Sequence, residues 1–187
     1  MAKSASRWAT ASDANQIAAL MLTEPYMEFC QFTPVHFYSA RLEESIRFAI
    51  ESGSASYRLI FDGNLSAPFG FVSLNDICLR RGLGEIGMFN FLREPHSMGT
   101  GLSTMRALGH VCRHGFETLG LDKIKAEFIE TNKFAERLMI RLSFQLEGRC
   151  RRKIFRQGAC YDTYLFALQS AKWNDFIVNE PIWRFIS

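Results

Sequence analysis

Apolar positions along this chain keep two rhythms. In "ASDANQIAALML" the residues Ile17, Leu20 and Met21 fall on one face of a helix, and Ser12 or Asp13 stands where an N-cap belongs. A short strand, "RWAT", precedes it. "HFYSARLEESIRFAIES" repeats the helical spacing and stops at Gly53. The period then shortens: "YRLIF" and "FGFVSLNDI" alternate as strands do, and the turn-forming "DGNLSAP" between them predicts a hairpin. "EIGMFNFL" predicts a further strand. Leu102, Met105, Leu108, Cys112, Phe116 and Leu119 return to helical spacing, with Gly120 at the expected stop. "KIKAEFIE" reads as strand and "NKFAERLMIRL" as a short helix. "FQLEGRCRRKIF" and "YDTYLFAL" read as an antiparallel pair turned at "RQGA". Alternating helices and strands of this kind predict an α/β (α+β) fold with a mixed sheet, and exclude a bundle or a sandwich.

Composition narrows the class. At 187 residues, 48% hydrophobic and 22% charged, the chain fits one globular domain with a substantial core. A net charge of +3 admits an anionic ligand but falls short of a dedicated nucleic-acid binder. The five cysteines, Cys30, Cys78, Cys112, Cys150 and Cys160, are scattered and odd in number, which suits reduced thiols and a cytoplasmic protein. Neither a signal peptide nor an apolar run of membrane-spanning length is legible. The tail "KWNDFIVNEPIWRFIS" is too apolar to be free in water; it packs on its own domain or on a second subunit, so a homodimer is compatible.

The candidate chemistry gathers at "REPHSMGTGLSTMRALGH", where two glycines precede a helix that follows a strand. Unpaired N–H groups and the helix dipole make such a start an anion site, and glycines let a phosphate approach the backbone. A Walker loop is excluded because Leu102 and Ser103 follow Gly101 where Lys and Ser/Thr are required. A dinucleotide fingerprint is excluded because Thr104 stands at its third glycine.

"HSMGTG" does fit R/Q-x-x-G-x-G/A, with His96 in the first place, and so resembles the acetyl-CoA loop of the GNAT superfamily of N-acetyltransferases. The "EIG" of the preceding strand strengthens the resemblance. So does "ETNKFAERLMIRLSFQLEGRC", which is similar to the family's E-x-N-x-x-A-x-x-L-Y-x-x-x-G-F-x-x-E-G-x-x-R stretch, nearest to the ribosomal-protein and amino-sugar acetyltransferase branches. The resemblance implies a mostly antiparallel GNAT-like sheet flanked by helices, and acetyl-CoA as co-substrate. It also implies that His96, Ser97, Met98, Gly99, Thr100, Gly101 and Leu102 hold the pyrophosphate, with Asn132 and the strand near Phe89 along the pantetheine arm and thioester.

Two residues depart from the pattern: Met139 replaces the tyrosine that protonates the leaving thiolate, and Ser143 replaces a glycine. An amine with a pKa of about 10 must lose a proton before attack, whereas a thiol of pKa about 8.5 leaves more readily unaided, so a base matters more than an acid. Glu85 is the candidate base and Tyr164 a candidate proton donor. Against these roles stand a strand-end salt bridge for Glu85 and plain packing for Tyr164.

Arg149 and Arg151, in a basic hairpin with Arg152, Lys153 and Arg156, are candidate substrate contacts, tilting the acceptor toward a nucleotide-linked amino sugar over a protein N-terminus or a small amine. The same cluster also reads as a solvated edge or an RNA surface. His110, His114 and Glu117 share a helical face that the pattern places toward solvent, and no metal site is expected there. The expected activity is transfer of acetyl to a primary amine by direct attack. A CoA-binding protein without turnover and an RNA-binding module are the alternatives.

Overall fold

The structure, a computed structural model, describes residues 5–23, 26, 39–61, 67–90 and 98–179. Its frame is one seven-stranded sheet in the order β1-β2-β3-β4-β5-β7-β6. The strands are β1 (Ala5–Trp8), β2 (Ser56–Phe61), β3 (Gly70–Cys78), β4 (Leu83–Asn90), β5 (Lys123–Ile129), β6 (Gln145–Arg156) and β7 (Ala159–Gln169). Every neighbouring pair is antiparallel except β4 and β5. The helices are α1 (Ala14–Met21), α2 (Ser39–Glu51), α3 (Met98–Arg113), α4 (Lys133–Arg141) and α5 (Ser170–Asn179).

Strand alternation sorts side chains onto two faces, and each face carries its own core. Ile60, Val72, Leu74, Ile86, Ile124 and Ala126 pack beneath α3 and α4, together with Leu108, Val111 and Leu138. Tyr57, Leu59, Phe71 and Phe89 point the other way, against Ala14, Ile17 and Ile46 of α1 and α2. The mixed sheet flanked by helices is the predicted architecture.

Local chemistry explains the boundaries. Asp13 sits in a one-turn 3-10 helix (Ala11–Asp13) ahead of α1 and accepts from both the Thr10 N–H (2.8 Å) and the Arg7 guanidinium (2.8 and 2.7 Å). It therefore ties β1 to the start of α1, rather than capping α1 through its own side chain. Gly53 and Gly120 take left-handed φ of 70° and 66° where the second and third helices were expected to stop. Ser143 takes the same conformation, φ 62°, and so occupies with a Cβ a position suited to glycine. β6 and β7 turn through Gln157 and Gly158, the middle of "RQGA".

Two expectations change. Past Arg113 the third helix widens into a π turn, His114–Thr118, which seats Gly115 against Ile124. His110 and His114 do not face solvent: His114 stacks on Trp8 of β1 at 4.9 Å, and His110 is half-buried with its pKa pushed down to about 4 by burial and by Arg58, Arg113 and Arg106. The helix lies across β1 and β2, so what the linear pattern assigned to water is covered by the edge of the sheet. In the tail, Trp173 is buried against Phe116 of its own chain, with ring centroids 5.7 Å apart. Residues 180–187 lie outside the described ones.

Candidate active site

β4 and β5, the one parallel pair, hydrogen-bond only over Leu83–Lys123, Gly84–Ile124 and Glu85–Lys125. β4 runs on to Asn90 and β5 to Ile129 with no further pairing between them. The strands part after Glu85, so β4 and β5 share no ladder hydrogen bonds beyond it. A cavity of about 200 Å³ fills the opening and passes from one face of the sheet to the other. On the α1 face it is lined by Phe71, Ser73, Glu85, Gly87, Phe89 and Glu127; on the α3/α4 face by Met88, Phe128, Ala135 and Met139. The helices that follow these two strands, α3 and α4, begin at the end where the strands have parted.

The expected residues divide as follows. Phe89, Glu85 and Asn132 line the cavity. Phe89 is buried and packs edge-on against Tyr26 at 5.0 Å. Glu85 meets Lys125 at 2.9 Å, and that bond raises the lysine's pKa against the opposing effect of burial. Both readings of Glu85, cavity carboxylate and salt-bridge partner, are thus present in one side chain. Asn132 caps α4, its Oδ1 accepting from the Ala135 N–H at 3.0 Å, which leaves its amide NH2 uncommitted among the described residues. Met98, Gly99, Thr100, Gly101 and Leu102 form the opening turns of α3. His96 and Ser97 lie outside the described residues.

Tyr164 is not among the described residues lining the cavity. It packs on Phe128, with Lys133 and Arg149 over its ring at 5.5 and 5.7 Å. Arg149 is engaged by Asp162 at 2.5 Å and Glu130 at 3.2 Å, and Arg151 is exposed on β6; neither lines the cavity. The basic hairpin is consequently neutralised in part by its own acids.

Among the cavity residues that sequence reasoning gave no site role, Met139, Gly87 and Glu127 shape it most directly. Met139, noted only for the tyrosine it replaces, is 1% exposed and forms part of the wall. Gly87 lies opposite Ser73, and the absent side chain makes room for the Ser73–Asn75 hydrogen bond of 2.9 Å. Glu127 accepts through Oε1 from Thr163 Oγ1 and Lys153 Nζ, both at 2.5 Å. Burial opposes its charge, but these two bonds outweigh burial and hold the carboxyl below its ordinary pKa. The signal for Glu127 was the alternation of "KIKAEFIE", which puts it on the same face as Lys125.

Among the described residues no group of three His, Cys, Asp or Glu side chains is placed to hold a metal, and no helix is long and apolar enough to cross a membrane. The model of the acetyltransferase (GNAT) domain matches residues 6–145. An uncharacterized N-acetyltransferase of Bacillus subtilis, YoaA, is 33% identical over 61 residues, 33% of this chain and 34% of that relative, so the match spans about a third of the relative's length. A crystal structure of spermidine N-acetyltransferase from Vibrio cholerae in complex with CoA and spermine superposes with a TM-score of 0.75 at 20% identity, covering 93% of this chain and 99% of that one. The ribosomal-protein-S5-alanine acetyltransferase of Vibrio fischeri superposes at 0.72 and 21% identity, covering 92% and 96%. With the parted strands, the helix starts beside them and a family match over most of its length, the chain belongs to the acetyltransferase (GNAT) domain family.

Proposed function

We propose that the protein moves an acetyl group from acetyl-CoA to a primary amine by direct attack, with both substrates bound at once and no covalent enzyme intermediate. The observation that carries this reading is the separation of β4 from β5 after Glu85, which opens a passage between the two faces of the sheet. The residues present suit the co-substrate. Gly99 and Gly101 in the first turn of α3, with Met98, Thr100 and Leu102, leave main-chain N–H groups approachable by a diphosphate, and the resemblance to the family adds His96 and Ser97 to the loop. The spare amide of Asn132 suits a polar arm passing the start of α4, and the stretch of β4 near Phe89, beyond the last rung shared with β5, lies beside the cavity where the thioester carbonyl would sit. Bound there, acetyl-CoA supplies an acyl carbon activated by its thioester.

The amine then approaches from the α1 face, where Glu85 takes its proton directly or through water. The new C–N bond forms as the C–S bond breaks, and the electron pair leaves on sulfur. Met139 offers no proton from the position of the family tyrosine, so the thiolate leaves as the better of two leaving groups rather than by acid assistance. Tyr164, the donor candidate on β7, does not line the cavity and takes no part in this step. Free thiols at Cys78, Cys112, Cys150 and Cys160 support a reducing compartment such as the cytoplasm.

The test is free-thiol release from acetyl-CoA across a panel of amines, with Gly99→Leu/Gly101→Leu as control. Turnover that the double variant loses along with CoA-induced thermal stabilisation, while keeping its own fold, is the expected result. CoA affinity unchanged by the two leucines would remove the diphosphate from this helix start.

A further inference from the structure

Two carboxylates line the cavity on the α1 face, and they are not equivalent. Glu85 is the one beside the last paired rung of β4 and β5, closed by Lys125 at 2.9 Å. Glu127 lies two residues beyond Lys125 on β5, on the same face and about 7 Å farther along the strand. Its Oε1 is fixed by Thr163 and Lys153, whereas Oε2 makes no hydrogen bond among the described residues. Thr163 is fully buried, so the carboxylate is held in place from beneath.

A carboxyl whose pKa is held down is a weak base at neutral pH and a good receptor for a cation. Lys153, part-exposed, already answers part of that charge through Oε1, but a carboxylate accepts on both oxygens and Oε2 is left for a second cation. Around the two acids the wall is apolar, formed by Met21, Tyr26, Phe71 and Phe89. This is a surface for methylenes with a carboxylate at each end, each held by one lysine and each able to accept a further donor. The volume of about 200 Å³ lies below the roughly 300–1,000 Å³ usual for drug-sized ligands, which disfavours a nucleotide-linked sugar.

Resting on the acetyltransferase reading above, we propose that Glu127 is the specificity-determining residue for the acceptor: Oε2 binds a second ammonium while the reacting amine sits by Glu85, so the acceptor class is a short aliphatic diamine or polyamine. Glu127 thereby sets which amine enters, and the basic hairpin serves the site only through Lys153.

The experiment compares diaminobutane with butylamine, an acceptor of like length that lacks the second charge, in the wild type and in Glu127→Gln, whose amide still accepts from Thr163 and Lys153. The wild type is expected to favour the diamine in kcat/KM. In Glu127→Gln that preference should fall about 10- to 100-fold through KM for the diamine, leaving butylamine and acetyl-CoA within twofold. Lys153→Met, which removes the competing cation, should lower KM for the diamine. Equal losses on both amines would assign Glu127 a structural role and overturn the proposal, as would unchanged kinetics. If neither amine is acetylated, the acetyltransferase reading fails separately, and Glu127 is still judged by whether diaminobutane raises the melting temperature of the wild type but not of Glu127→Gln.

Discussion

Gly87→Ala joins the fold to the site in a single methyl group. A Cβ at Gly87 would stand 2.6 Å from Ser73 Oγ and 3.1 Å from Asn75 Nδ2, the first contact roughly 0.8 Å inside ordinary van der Waals distance. Ser73 is 2% exposed, so its hydroxyl escapes only by rotating away from Asn75 and giving up their 2.9 Å bond. A buried hydroxyl left unpaired costs about 1–3 kcal/mol, whereas Gly→Ala returns about 0.4–1 kcal/mol through the unfolded chain. The net expectation is a loss of about 1–2 kcal/mol, or roughly 2–8 °C in Tm for a chain of this length. The methyl also enters the cavity between Glu85 and Phe89, so KM for the amine should rise. Thermal melts of Gly87→Ala, Ser73→Ala and the double variant check the cause. Removing the hydroxyl removes the clash, so the double variant should recover about 1 kcal/mol relative to additivity. Strict additivity, or a Gly87→Ala protein as stable and active as the wild type, would refute the reasoning.

Two further outcomes follow from local chemistry. Asp13→Asn should lose about 1–3 kcal/mol at neutral pH, the lower part of that range reflecting an Arg7 side chain that is 49% exposed. The Arg7 bonds hold Asp13 well below its ordinary pKa. Its contribution is therefore complete well above the unfolded value of about 3.9 and is lost progressively as pH falls toward the far lower folded-state value. Denaturant curves of wild type and variant should stay apart from pH 5 to 7, begin to approach each other below about pH 4, and meet only below the folded-state value. Ser143→Gly should gain about 0.5–1 kcal/mol in chemical denaturation, because it relieves a side chain at φ 62° while adding freedom to the unfolded chain.

Much of the fold could be read because the two periodicities are carried by long, clean segments. "KIKAEFIE" alternates strictly, and its β5 alternates half-buried and buried through Phe128. Turn residues placed the ends of α2, the third helix and the last hairpin. What the pattern could not carry was the crossing of one element over another. His110 and His114 sit on a helical stripe that is polar by composition, and only the antiparallel addition of β1 to β2 brings Trp8 and Arg58 over it. The π turn at His114–Thr118 has no signature in a helical repeat, since the inserted residue is stabilised by how Gly115 seats on Ile124.

The site divides along the same line. Residues named by a local motif, the Gly99–Gly101 stretch and Asn132, fall at the start of α3 and the cap of α4, because a helix start and its cap are built from neighbours in sequence. Residues chosen for charge or for an aromatic hydroxyl fare differently: Arg149 is spent on Asp162 and Glu130, and Tyr164 carries two cations over its ring away from the cavity lining. A charge count along one strand cannot register which opposite charge lies across the next strand, and Asp162, Glu130 and Glu127 all lie across such a gap. The same ladder that pairs away the arginines leaves Glu127 with one oxygen to spare. Which charges line the cavity is therefore set by the register of β5, β7 and β6: it presents Glu85 and Glu127, each ion-paired with a lysine, rather than the arginines of the basic hairpin.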